Sequence, residues 1–245
     1  MFYGLNPAQA ERLRTILDEI GAMYDGRMFA NDMLITLHRS AGFLGDARFM
    51  AAFSGEANDD QERSLAWRLH VLVWCAEGAL RREGDFVECG VYRGFSTAVA
   101  ARYLDLARLD RRWILFDTFS GIPEDQLNPG GFNPDIYREP GLHAACVARF
   151  AHLPNVEVVR GRVPEILADH APERIAFVHL DMNSAEAEVA ALECLFPRFA
   201  QGAYVLLDDY GWHFHREQKL VADEFFGDHG YRVLELPTGQ GLVIV

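Results

Sequence analysis

Three carboxylates stand where short apolar runs stop. Asp181 ends "IAFVHLD" (175–181), and Asp208 and Asp209 end "AYVLLDD" (203–209). A fourth, Asp117, ends "WILFD" (113–117). An aspartate in such a place either caps a following helix or faces a ligand beyond the strand. Asp181 is itself a candidate cap for a helix opening near Ser184. The set favours a ligand, because like charges gathered at one sheet edge repel unless a cation or a proton resolves them. Oxygen-only ligands select a hard divalent ion, Mg²⁺ before Ca²⁺ or Mn²⁺. His213 and His215 follow closely and admit a softer metal, although a lone loop histidine is ordinarily a solvated side chain. The first apolar run, "DFVEC" (85–89), carries Glu88 and enters "GVYRG". There Gly90 permits a tight turn, and Gly94 a close approach of the chain to a ligand or strand. The spacing is not GxGxxG, so the dinucleotide fingerprint is not met.

These residues need elements to hold them. From residue 85 onward, near-continuous apolar and β-branched runs at 85–89, 113–117, 156–161, 175–181 and 203–209 alternate with helical stretches such as 184–199 and 216–227. That alternation predicts a parallel sheet covered on both faces. Ligands of such sheets bind beyond the carboxyl ends of the strands, which is where every residue above falls, as does Gly161. The last two runs, "YRVLEL" (231–236) and "GLVIV" (241–245), are joined by "PTGQ", too short for a crossover helix, so they pair antiparallel. Residues 1–80 read as a helical N-terminal extension packed on the core, and 81–245 as the site-bearing domain. Asn6 and Pro7 form a helix start, and 64–80 reads as a buried helix leading into the first strand. The stretch 120–141 holds four prolines and four glycines. It reads either as an active-site lid or as a surface insert.

The totals narrow the classes. The chain has 245 residues, half of them hydrophobic, enough for one large core. A formal net charge of −13 disfavours nucleic acid and an anionic membrane surface as partners. No apolar run reaches membrane-spanning length, and the N-terminus lacks the order of a signal peptide, so a cytoplasmic location is expected. Cys75, Cys89, Cys146 and Cys194 are far apart and read as reduced thiols. The N-terminal helices suit a second subunit as well as the chain's own sheet, so a homo-oligomer stays open.

"GDFVECGVYRG", "LFDTFSGIPE", "HLDMN" and "LLDDYGW" resemble, in that order, blocks of the macrocin-type O-methyltransferases, over about residues 64–245. The resemblance implies an α/β fold: a Rossmann-like class I methyltransferase sheet, mostly parallel, with an antiparallel C-terminal hairpin. It implies S-adenosylmethionine as cofactor and a small-molecule hydroxyl acceptor, a sugar or natural-product diol. By position, Glu88, Gly90, Tyr92, Gly94 and Ser96 would hold the methionine part. Asp117, with Thr118 beside it, would bind the ribose, and Gly161 would sit near the adenine edge. Asp181 also borders the cofactor, and Asp181, Asp208 and Asp209 match the family's magnesium ligands.

One position departs from the pattern. Many members carry LDxD where this chain has "LDMN", and the second acid is the family's proposed base. Asn183 stands there, and an amide takes no proton. Either a cation acidifies the acceptor hydroxyl enough for a weak base or water to serve, or His213 or His215 replaces the base, or the acceptor differs or activity is weak. A metal-independent methyltransferase, a nicotinamide-dependent oxidoreductase and a non-catalytic cofactor-binding module are the alternatives. Phe132, Tyr137, Tyr210, Trp212 and Phe214 are candidates to stack on an acceptor, although most aromatics in such a chain belong to the core.

Overall fold

The computed structural model describes residues 2, 4–129 and 134–245, which form two compact units, Met1–His70 and Val71–Val245. In the first unit, α1 (Pro7–Met23) starts as its sequence predicts. Asn6 Oδ1 accepts from the Gln9 N–H and Gln9 Oε1 from the Asn6 N–H, each at 3.0 Å. The unit is not helical throughout. β1 (Met28–Asn31) and β2 (Leu34–Leu37) pair antiparallel through Asp32 and Met33, both with positive φ. That is the backbone of a two-residue hairpin turn, and the usual Asn-Gly or Asp-Gly signature is absent. Arg68 secures it instead, through Nε and Nη2 to the buried Asp32 carboxylate at 3.0 and 3.2 Å. That partner lies 36 residues away, beyond any local pattern. α2 (Ala47–Glu56) and α3 (Asp60–Ser64) complete the unit, and α4 (Ala66–Ala79) runs across the division.

The second unit alternates as expected. In chain order it has β3 (Asp85–Cys89), α5 (Phe95–Leu104), β4 (Trp113–Asp117), α6 (Leu142–Phe150), β5 (Val156–Arg160), α7 (Leu167–His170) and β6 (Ile175–Leu180). α8 (Ala185–Leu195), β7 (Phe199–Leu207), α9 (Arg216–Asp228), β8 (Leu234–Glu235) and β9 (Gly241–Ile244) follow. The sheet order is β5-β4-β3-β6-β7-β9-β8. The first five strands are parallel, and β9 runs antiparallel to both β7 and β8. The C-terminal hairpin is thus present, although β8 is only two residues long. β7 starts at Phe199, earlier than its densest apolar run suggested.

The chain goes one way from β3 to β4 and the other way from β3 to β6. The crevice of such a sheet opens where that order reverses, beyond the ends of β3 and β6, beside Gly90 and Asp181. Side chains alternate between the two faces of each strand. One face buries Phe86, Trp113 and Phe177, whose rings meet edge to face at 5.3–5.8 Å. The other buries Val87, Ile114, Val178 and Val205 against Leu192, Leu195 and Phe226. Among the described residues no helix is long and apolar enough to cross a membrane.

Candidate active site

Beyond β3 the chain turns through Gly90 (φ +84°), Tyr92 (φ +50°) and Gly94 (φ +73°). A Cβ on Gly90 would lie 2.5 Å from the Asp181 carbonyl carbon, and one on Gly94 2.6 Å from the Phe150 ring. Asp117 holds this turn. Its Oδ2 accepts from the Val91 and Tyr92 N–H groups at 2.7 and 2.8 Å, and its Oδ1 from Phe119 N–H at 2.6 Å. A carboxylate offers about four lone-pair directions, so these three bonds leave one for a ligand hydroxyl. The N-terminus of α5 has no side-chain cap, and half-buried Ser96 stands in its first turn. Such N–H groups suit a ligand carboxylate. Thr118 stays within its own loop, its hydroxyl donating to the Gly121 carbonyl at 2.7 Å. Gly161 donates to the Asp117 carbonyl at 3.0 Å and packs where a Cβ would strike Ile166.

Glu88 points inward. The β3–β6 register sets Glu88 beside His179, on one face of the sheet. Glu88 accepts from the Thr97 hydroxyl and lies 2.9 Å from His179 Nδ1. His179 Nε2 lies 3.4 Å from Asp208 Oδ1, which also accepts from Gln240 Nε2 at 2.9 Å. Glu88, His179, Asp208 and Gln240 are all buried. Burial works against a charge on His179, but the hydrogen bonds to Asp208 and Glu88 prevail and raise its pKa to about 10. The chain therefore contains its own cation between two of its acids.

Asp181, Asp208 and His179 present ligand atoms within 4.8 Å of one another. The oxygens of Asp181 and Asp208 are the donors of that group that fit a hard cation. Asp209 is buried and outside that group. Its Oδ1 is 4.0 Å from His215 Nε2, and its charge, after burial itself, helps hold the Glu188 acid well above the usual carboxylate range. Ser184, and not Asp181, caps α8, its Oγ accepting from Ala187 N–H at 3.1 Å. Asn183 adopts a left-handed backbone (φ +54°). His213 and His215 share a short turn, in which His215 is buried and His213 exposed.

The stretch 120–141 is tied down at both described ends. Ser184 donates to the Gln126 carbonyl at 2.7 Å, and Asn128 bridges the Ala185 N–H, the Asn183 carbonyl and Gln218. Glu139 accepts from the Tyr92 hydroxyl and from Arg93 Nε and Nη2, at 3.1 and 2.5 Å for the arginine. Phe132 lies outside the described residues. Of the other aromatic candidates, Tyr210 is core, with its hydroxyl on Asp223 at 2.5 Å, and Phe214 is exposed. His179, Gln240, Gln218 and Asn128 carry much of this network without having stood out in the sequence. The available signal was an ionisable residue inside each of two otherwise apolar strands, "DFVEC" and "IAFVHL".

The family model described as macrocin-O-methyltransferase (TylF) matches residues 66–230. The 8-demethyl-8-(2,3-dimethoxy-alpha-L-rhamnosyl)-tetracenomycin-C 4'-O-methyltransferase of Streptomyces olivaceus is 33% identical over 163 residues, 58% of this chain and 60% of that protein. That match spans less than two thirds of the relative's own length. The mycinamicin III 3''-O-methyltransferase of Micromonospora griseorubida is 28% identical over 210 residues, 75% of this chain and 83% of that one. Two solved structures share the fold. The O-methyltransferase NovP has a TM-score of 0.60 at 22% identity, over 72% of this chain and 78% of its own. The calicheamicin methyltransferase CalS11 has a TM-score of 0.64 at 18% identity, over 99% and 95%.

Proposed function

Given that the chain belongs to the macrocin-O-methyltransferase family, we propose that it is an S-adenosylmethionine-dependent O-methyltransferase acting on a hydroxyl of a sugar or natural-product diol. The relatives' sugar-directed names support that acceptor class. The observation that carries the reading is the juxtaposition at the switch point. A turn held by Asp117 and an uncapped helix N-terminus lie on one side, and Asp181 and Asp208 on the other, at the ends of paired strands.

The cofactor supplies a methyl group already activated on a sulfonium, and a divalent cation at Asp181 and Asp208 would supply charge to an acceptor oxygen. The protein supplies placement. Asp117, while fixing the turn, would offer a lone pair to a ribose hydroxyl, and the first-turn N–H groups of α5, with Ser96, would hold the methionine carboxylate. Asp181, one strand over, would orient the acceptor hydroxyl and take up its proton. His179 and Gln240 fix the Asp208 carboxylate.

The buried hydrogen bonds among Glu88, His179, Asp208 and Gln240 support a second, metal-independent reading, in which these acids serve as acceptors within the protein. Calorimetry with S-adenosylhomocysteine, with and without Mg²⁺, and transfer from labelled S-adenosylmethionine to a panel of α-L-rhamnosides test both. Wild type should bind S-adenosylhomocysteine, and Asp117→Ala should weaken that binding by about 100-fold, because it removes both the turn's anchor and the proposed ribose acceptor. Failure of wild type to bind sinks the methyltransferase reading. Transfer undiminished by a chelator, with no heat on adding Mg²⁺, selects the metal-independent form.

A further inference from the structure

We propose that Asn183 is a positioning residue that joins Tyr137 to Asp181 and thereby sets the orientation in which Asp181 meets the acceptor. The inference rests on the methyltransferase reading above and concerns the position where this chain replaces an acid with an amide.

Two contacts carry it. The Tyr137 hydroxyl donates to Asn183 Oδ1 at 3.3 Å, and Asn183 Nδ2 donates to Asp181 Oδ1 at 3.4 Å. The opposite orientation of the amide would turn its oxygen toward the Asp181 carboxylate, acceptor against acceptor, so the neighbours choose the one observed. An amide is suited to this place because it accepts on one side and donates on the other. An aspartate would still accept from Tyr137 but would set a second carboxylate against Asp181. The backbone does not make the choice: φ at 183 is left-handed, and asparagine and aspartate both tolerate that region. Helix capping does not make it either, since Ser184 fills that role.

The consequence is mechanical. Tyr137 stands two residues before Glu139, which Arg93 and Tyr92 of the glycine turn hold. The Tyr92 and Tyr137 rings also meet edge to face at 5.6 Å. The short run 137–139 therefore touches the cofactor turn on one side and, through the Asn183 amide, the acceptor-side carboxylate on the other. Asn183 is no substitute base. It is the link by which the turn that holds the cofactor and the carboxylate that receives the acceptor keep a common geometry.

The side-chain amide signals of Asn183 in a nitrogen-15 spectrum report this directly and need no acceptor. They are identified as the pair lost in Asn183→Asp. Tyr137→Phe and Asp181→Asn, both conservative in shape, should each move that pair, and Tyr137→Phe should speed its solvent exchange by about tenfold. A pair that stays in place in either variant overturns the proposal. In the methyl-transfer assay, Asn183→Asp should lower kcat by about tenfold or more while S-adenosylhomocysteine affinity stays within about twofold; a rise in kcat means the position wants an acid and overturns it. Titrating the same samples with S-adenosylhomocysteine separates the two claims. No binding sinks the methyltransferase reading, whereas binding with the Asn183 pair unmoved sinks only the positioning role.

Discussion

Gly90→Ala should abolish cofactor binding and leave little folded protein at 37 °C. Gly90 donates its N–H to the Phe116 carbonyl of β4 at 2.9 Å, and next to it the Cys89 carbonyl accepts from Asp181 N–H at 2.8 Å. The residue is thus pinned between two neighbouring strands as the chain leaves β3. Its φ of +84° costs about 1–2 kcal/mol for any residue with a Cβ. The larger cost is steric. The new Cβ would fall on the Asp181 carbonyl, which is backbone and cannot rotate away. To admit it, β3 and β6 must part at their ends, and the parting moves Asp181 away from the glycine turn to which its N–H is bonded through Cys89. A loss of about 3 kcal/mol or more follows from overpacking plus backbone strain. Gly227→Ala in α9 is the control: beyond its chain neighbours and its own helix backbone, no atom lies within 4 Å of the point where its Cβ would stand, and its φ is ordinary. Replacing that helical glycine should stabilise by about 0.5–1 kcal/mol. Denaturant melts of both variants, with S-adenosylhomocysteine calorimetry, give the comparison. A Gly90→Ala protein with wild-type midpoint and affinity would show that the turn yields cheaply, against everything its neighbours indicate.

What the amino-acid order discloses here is local, and what it hides is the partner at a distance. The inner strands β3, β4 and β6 announce themselves because both faces of each are buried, so their apolar runs are nearly unbroken, whereas the edge strand β5 exposes Glu157 and Arg160. Strand ends are legible for the same reason: Asp117, Asp181 and Asp208 are the first charges after such runs. Their roles are not legible. Asp117 looked like a ligand residue, and two of its three hydrogen bonds go to the glycine turn after β3, 25 and 26 residues away. Glu88 looked like part of the cofactor turn, and it faces inward to Thr97 and His179. Three acids suggested one cluster; Asp181 and Asp208 lie together beside His179, and Asp209 Oδ1 lies 4.0 Å from His215 Nε2. His179 is the plainest case. Its partners lie 91 and 29 residues away in the chain, so in its own strand it is only a polar residue in apolar company. The β1–β2 hairpin is hidden similarly, because its turn residue Asp32 is held by Arg68, 36 residues away.

His179→Leu should be the most destabilising single change at the site apart from Gly90→Ala. The substitution keeps an apolar side chain of similar bulk in a strand whose neighbours are apolar, so packing alone predicts a mild effect. Electrostatics predicts the reverse. With the imidazolium gone, Glu88 and Asp208 are left buried without the cation between them, and breaking a buried pair by removing one partner costs about 3–5 kcal/mol. For a chain of this length that is a fall in Tm of roughly 10 °C. The dependence on pH identifies the cause. The pKa of His179 is raised on folding, to about 10 from an ordinary 6.5. Its charge therefore stabilises the fold fully below about pH 6.5, progressively less between there and pH 10, and not at all above. The gap between wild type and His179→Leu should narrow over that interval as pH rises. A second change separates charge from shape. Glu88→Gln placed in the His179→Leu background removes one of the stranded acids and keeps an acceptor for the Thr97 hydroxyl, so the double variant should melt higher than His179→Leu alone. If the double variant melts lower, or if the gap is flat with pH, the histidine is a packing residue and the buried cation does not hold the two acids together.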